Sequence, residues 1–204
     1  MKTFLLSSIL FLSLSIIAKS KPLPENCKKN CVTPYGQHLG QDNTGVPAYS
    51  NCQSQCVIFT PNKALGVYSG IKWQCVEYSR RWLIVNKQLT YGSVDFAADI
   101  WKNISHYTHT MTKAKIPVES RLNGSPYAPR VGDLLIYAKE FEGTGHVAVI
   151  TQVSLANKTV SVSEENYENK PWTHNYARKL NMVVNQKKFW ILDPYLIGWK
   201  TAIQ

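Results

Sequence analysis

Gly70-Ile-Lys-Trp-Gln-Cys-Val-Glu-Tyr-Ser-Arg-Arg-Trp-Leu83 is the stretch around which the rest of the chain is read. From Val76 onward the apolar or aromatic positions Val76, Tyr78, Trp82, Leu83 and Val85 recur at roughly helical spacing. Glu77, Arg80, Arg81 and Lys87 fall largely on the other side. The spacing predicts an amphipathic helix with Cys75 at or just before its first turn. Free backbone N–H groups and the positive end of the helix dipole favour a thiolate there, and thiolate is the nucleophilic form of cysteine. A second stretch, Gly143-Thr-Gly-His-Val-Ala-Val-Ile150, puts a histidine at the head of a strand pattern, behind two glycines that permit close approach.

Around these stretches, composition sets bounds. Lys2, the apolar run from Phe4 to Ile17, and the small residues Ala18 and Ser20 read as a secretory signal peptide over residues 1–20. That run is too short for a comfortable membrane span, and no later stretch approaches the length of one, so no transmembrane segment is expected. Residues 21–204 suit one domain with a sizeable core. Removing Lys2 and Lys19, with no acidic residue lost, lowers the formal charge from +10 to +8. Such a charge favours acidic surfaces, including bacterial walls, although a basic protein merely kept soluble is the plain alternative. The scattered lysines and arginines lack the interleaved aromatic pattern of a nucleic-acid groove, and a monomer is expected.

Of five cysteines, four form a twin pattern, Cys27-x3-Cys31 and Cys52-x3-Cys56. In an oxidising compartment two such pairs staple, and nesting Cys27 with Cys56 and Cys31 with Cys52 would align two short segments. Three pairings remain open by sequence, and a zinc site is the competing reading. Cys75 is left over, as a working thiol or a mispairing hazard.

In chain order, residues 21–60 read as a disulfide-stapled arm and loop with an edge strand at Val46–Ser50, because Pro47 is excluded from a central ladder. Residues 61–204 read as the catalytic domain. A second helix is expected over Phe96–His106, capped by Ser93 or Asp95. Strands are expected at Leu134–Ala138, Val147–Val153, Thr159–Ser163, Leu180–Val184 and Phe189–Leu192, forming an antiparallel sheet beside the two helices, an α+β class. Asn103-Ile-Ser, Asn123-Gly-Ser and Asn157-Lys-Thr are glycosylation sequons.

A cysteine amidase needs a base and a polar group to orient that base. His146 is the base candidate. The end of the next strand offers Glu164 and Asn166 on one face and Glu165 on the other, and Glu164 is chosen. Gln74 could donate to the oxyanion together with the Cys75 N–H. The plainer alternatives are a satisfied strand histidine, a solvated strand end, and core aromatics at Trp73, Tyr78 and Trp82. His106 and His109 form an H-x-x-H that lacks an identifiable third ligand, so no metal is expected.

These motifs resemble the cysteine, histidine-dependent amidohydrolase/peptidase (CHAP) family, most closely the amidase domains of glutathionylspermidine and trypanothione synthetases. The resemblance rests on Lys72–Leu83, Asn123-Gly-Ser-Pro126, Gly132-Asp-Leu-Leu-Ile-Tyr137, Gly143–Ile150 and Glu164-Glu-Asn166. It extends to Leu39–Ser50 and Leu196-Ile-Gly-Trp199, covering about residues 34 to 200. It implies a papain-like α+β fold of the CHAP/NlpC-P60 type. It also implies Cys75 as nucleophile, His146 as base, Glu164 as the orienting residue and Asn166 as a polar helper. Arg80 matches a substrate-contacting arginine, and Ser93 or Asp95 an acidic contact. The synthetase domain is absent, so neither ligase activity nor a cofactor is implied. The signal peptide and four extra cysteines point to export. The expected substrate is therefore an amide in a peptide or peptide conjugate: bacterial peptidoglycan first, a glutathione–polyamine conjugate second, with a catalytically silent scaffold as the other class.

Overall fold

The computed structural model describes residues 22–203. The signal-peptide expectation at 1–20 lies outside the described residues. The strands are β1 (His38–Gln41), β2 (Pro47–Tyr49), β3 (Pro61–Ala64), β4 (Val67–Ile71), β5 (Leu89–Thr90), β6 (His106–His109), β7 (Lys115–Leu122), β8 (Leu134–Tyr137), β9 (Val147–Ser154), β10 (Thr159–Ser163), β11 (Arg178–Asn185), β12 (Lys188–Ile191) and β13 (Leu196–Ala202). The helices are α1 (Cys75–Lys87) and the short α2 (Ile100–Asn103). The fold is α+β and mostly sheet. Nine strands in the order β12-β11-β10-β9-β8-β13-β7-β6-β5 form an antiparallel sheet, while β1–β2 and β3–β4 pair separately.

Continuous apolar runs in β8 and at the start of β9 give this sheet two buried faces. Leu134, Ile136, Val147 and Val149 pack with Tyr78, Trp82 and Leu83 of α1. Leu135, Tyr137, Ala148 and Ile150 face the opposite core with Leu180, Met182 and Ile191 from β11 and β12. Each large apolar side chain so buried stabilises the fold by about 1.5–3 kcal/mol, which holds α1 on the sheet.

Helix α1 begins at Cys75, where Gln74 turns extended at φ −98° and ψ 152°, and ends at Gln88 in the left-handed region. Its charged side departs from the amphipathic expectation. Glu77, Arg80 and Arg81 are buried, while Val85 is exposed. Burial is tolerated because these charges are paired with one another or with backbone carbonyls, as described below.

The expected second helix, Phe96–His106, is a correction. Only a 3-10 turn at Ala97–Asp99 and one turn of α2 form, and His106–His109 is strand β6. Tyr107 is buried in that strand opposite Ile116, so tertiary pairing overrides the helical start. Phe96 precedes the 3-10 turn and its N–H donates to Asp99 Oδ2 at 3.2 Å, so neither Ser93 nor Asp95 caps it. His106 and His109, three apart on a strand, point to opposite faces and do not form a ligand pair.

Cys27–Cys56 and Cys31–Cys52 are bonded in the nested arrangement. Oxidised sulfurs do not ligate zinc, so the metal reading of these four falls. Two disulfides are compatible with an extracellular protein. No helix among the described residues is long and apolar enough to cross a membrane. Of the three sequon asparagines, Asn103 and Asn157 are exposed, whereas Asn123 exchanges both amide ends with the backbone of Ile191, at 2.9 and 2.8 Å.

Candidate active site

The site is built where the head of α1 meets the start of β9 and the end of β10. Cys75 is the first residue of α1 and the free cysteine of the described residues, 8% exposed. His146 directly precedes β9. Gly145 sets its position: at φ +70°, a Cβ there would come within 2.6 Å of the Tyr137 carbonyl oxygen and 2.7 Å of Ala98 Cβ. The glycine thus lets the turn press against β8 and the 97–98 segment. Tyr137 N–H donates to the His146 carbonyl at 2.9 Å and locks the backbone. The imidazole is buried among the rings of Tyr137, Phe141 and Tyr167.

His146 Nε2 lies 2.7 Å from Glu164 Oε2. Burial would raise the Glu164 carboxyl, but Arg178 and the His146 hydrogen bond outweigh it and hold the group at about 2. An ionised carboxylate only accepts, so Nε2 carries the hydrogen. Nδ1 is then the nitrogen left to face Cys75, whose thiol acts on the ring. Burial works against imidazolium, yet the Cys75 and Glu164 interactions lift His146 to about 9. The imidazole is therefore set to accept and keep a proton.

Asn166 donates through Nδ2 to Gln74 Oε1 at 2.8 Å, and Gln74 Nε2 donates to the Cys56 carbonyl at 3.1 Å. Gln74 is thus held between the 164–166 segment and the disulfide knot, immediately before the thiol. Arg80 is buried, donating to the carbonyls of Tyr91 at 3.1 Å, Gly92 at 2.6 Å and Ser69 at 3.4 Å. It ties down the segment that carries Ser93 and Asp95, both exposed. Ala98 N–H on the same stretch donates to the Thr144 carbonyl at 3.1 Å. The structure thus brings Cys75, His146 and Glu164 together, sets Gln74 and Asn166 beside them, and leaves Arg80 facing backbone carbonyls.

Two sets of residues escaped the sequence reading. Arg178, with Tyr137, Tyr167 and Asp193, surrounds Glu164 from behind. A carboxylate expected inside a protein needs a cation, and the first residue of the following strand was the available signal. Arg81, with Glu77 and Glu165, forms the second set. Arg81 Nη2 donates to Glu165 Oε1 at 2.6 Å, and Nε to Glu77 Oε1 at 2.9 Å. Glu165 is not a solvated strand end but a buried strut from the 164–166 segment to α1. A cavity of about 210 Å³ adjoins Glu164, Asn166, Tyr167, Trp172 and Arg178.

A mostly antiparallel α+β fold with a thiol at a helix head, against a histidine and a carboxylate on adjoining strands, defines a cysteine–histidine–carboxylate site. Residues 66–166 match the family model of the CHAP domain. It is similar to the bifunctional glutathionylspermidine synthetase/amidase of Escherichia coli (strain K12), 33% identical over 182 residues, covering 81% of this chain and 29% of that protein. It is also similar to the trypanothione synthetase of Crithidia fasciculata, 29% identical over 195 residues, covering 91% of this chain and 29% of that protein. The chain spans less than a third of the length of the curated relatives it matches.

Proposed function

We propose that this protein is a thiol-dependent amidohydrolase of papain-like arrangement, with Cys75 as nucleophile, His146 as base and Glu164 as the residue that orients the imidazole. The match to the CHAP domain model and the amidase relative support the reaction class. The observation that carries the site assignment is the hydrogen bond from His146 Nε2 to the ionised Glu164, which leaves Nδ1 for the Cys75 thiol.

In this mechanism Nδ1 takes the thiol proton and the sulfur attacks the amide carbon, forming a C–S bond. The Cys75 backbone N–H and the second hydrogen of Gln74 Nε2 receive the oxyanion. Collapse breaks the C–N bond, and the Nδ1 proton leaves with the amine. Nδ1 then deprotonates water, which cleaves the thioester and restores the thiol. Asn166 orients Gln74, Arg80 positions the 91–95 segment, and Ser93 and Asp95 contact substrate.

The proposed substrate is an amide in bacterial wall peptides, met outside the cell after export. The two disulfides and the +8 charge expected after cleavage at Ser20 support this setting. A second substrate, a glutathione–polyamine conjugate, is favoured by the relative named as a glutathionylspermidine amidase. Incubation of the protein in parallel with purified peptidoglycan and with glutathionylspermidine separates them. New amino termini on the wall are expected, and are lost in Cys75→Ala and His146→Ala. Spermidine release without wall cleavage selects the conjugate. Wild-type rates in either variant, or inactivity on both substrates, would overturn the assignment.

A further inference from the structure

We propose that Arg178 is a positioning residue of this site: its guanidinium grips both oxygens of Glu164 and keeps that carboxylate ionised and aimed at His146. This inference rests on Cys75, His146 and Glu164 acting as proposed above. Arg178 opens β11 directly opposite Val162 of β10, two residues before Glu164. From there Nε donates to Glu164 Oε1 at 2.5 Å and Nη2 to Oε2 at 3.2 Å. The two-point contact fixes the carboxylate plane, so Oε2 stays 2.7 Å from His146 Nε2.

The guanidinium is in turn held on its far side. Nη1 donates to Asp193 Oδ2 at 2.8 Å and Nη2 to Tyr137 Oη at 3.0 Å, while Tyr137 Oη donates to the same Asp193 oxygen at 2.6 Å. The Tyr167 ring covers it, 3.7 Å from guanidinium carbon to ring centroid. Because Tyr167 also packs on the imidazole, one ring shields both ends of the Glu164 contact from water. A lysine could supply the charge but not the fork, and could not reach Glu164 and Asp193 together.

The charge count gives the cluster a direction. Glu164 and Asp193 carry two negative charges against the single charge of Arg178, so one negative charge is in excess while His146 is neutral. Transfer of the Cys75 proton to Nδ1 balances it. The ionisable groups facing this cluster are Cys75 from α1, Tyr137 from β8, His146 before β9, Glu164, Tyr167 and Glu168 after β10, Arg178 from β11, and Asp193 after β12. Burial alone would push Glu164 toward its protonated form, and Arg178 is the strongest influence in the other direction.

Iodoacetamide alkylation of Cys75 tests this without a known substrate, since the other four cysteines are in disulfides. The sulfur forms a bond to the methylene carbon as iodide leaves. The rate is measured against pH for wild type, His146→Ala, Arg178→Met, Arg178→Lys and Asp193→Asn, with a thermal melt of each. For Arg178→Met the acid limb is expected to move up by about one to two pH units, the equivalent of a lost charge-assisted hydrogen bond. Arg178→Lys is expected in between. Asp193→Asn leaves the grip on Glu164 but removes the excess negative charge, and is expected to move the limb up by less than Arg178→Met. A folded Arg178→Met or Arg178→Lys with the wild-type profile and only a lower melting temperature would reduce the residue to a structural role and overturn the proposal. If Arg178→Met does not fold, Arg178→Lys decides alone. A wild-type profile in His146→Ala would instead show that the Cys75–His146 assignment had failed, and Arg178 would have nothing to position.

Discussion

Replacing Arg81 by methionine removes the one cation that two buried carboxylates share. Arg81 donates to Glu77 through Nε at 2.9 Å and Nη2 at 3.1 Å, to Glu165 through Nη2 at 2.6 Å, and to the Pro47 carbonyl through Nη1. Glu77 keeps Asn62 at 2.9 Å and Ser69 at 2.7 Å as further donors, whereas Glu165 keeps only the Tyr49 N–H at 2.8 Å. One cation cannot neutralise both carboxylates, and burial drives Glu165 well above the ordinary carboxylate range. Breaking such a pair costs about 3–5 kcal/mol, because the partner is left as an uncompensated buried charge. In a chain of this size that lowers Tm by roughly 6–20 °C. Glu165→Gln, by contrast, keeps the shape and both contacts at Oε1, and is expected to cost less than about 1 kcal/mol. The pH dependence has a defined sign. A carboxyl raised on folding contributes stability that is fully present below its unfolded value near 4.5 and is lost as pH rises through the folded value. Wild type is therefore expected to lose stability over that rise, and Glu165→Gln to lose less. Urea unfolding of the three proteins from pH 4 upward measures both effects. A Glu165→Gln variant as unstable as Arg81→Met would mean that the charge of Glu165 is needed, and would refute this reasoning.

Gly145→Ala would place a methyl 2.6 Å from a backbone carbonyl at φ +70°. We expect a loss of about 1–3 kcal/mol and slower alkylation of Cys75 as His146 is displaced; a variant that melts and reacts like wild type would contradict this. Each disulfide, replaced pairwise by serine, is expected to cost about 2–4 kcal/mol in urea. Loss of Cys27–Cys56 alone is expected also to slow alkylation, since the Cys56 carbonyl holds Gln74 at 3.1 Å. Equal rates in the two disulfide variants would show that the knot does not reach the site.

The sequence by itself determined those features that depend on near neighbours. The helical spacing after Cys75 set the thiol at the head of α1, and the strand-forming runs Val147–Val153 and Thr159–Ser163 located β9 and β10, with His146 at one end and Glu164 at the other. The twin cysteine spacing left three pairings, among them the nested one that forms. Only the tertiary structure decided which charges go inside. Glu77 and Arg81, solvent-side by helical pattern, are buried because Glu165 arrives from a segment more than eighty positions later. Arg178 meets Glu164 because β11 pairs with β10 in a register that no local pattern specifies. The helix expected over Phe96–His106 gives way because Tyr107 is buried by pairing with β7. Periodicity records the preferences of a segment for water on one side, but the cost of a buried charge depends on what lies across the sheet, and that is a property of the fold.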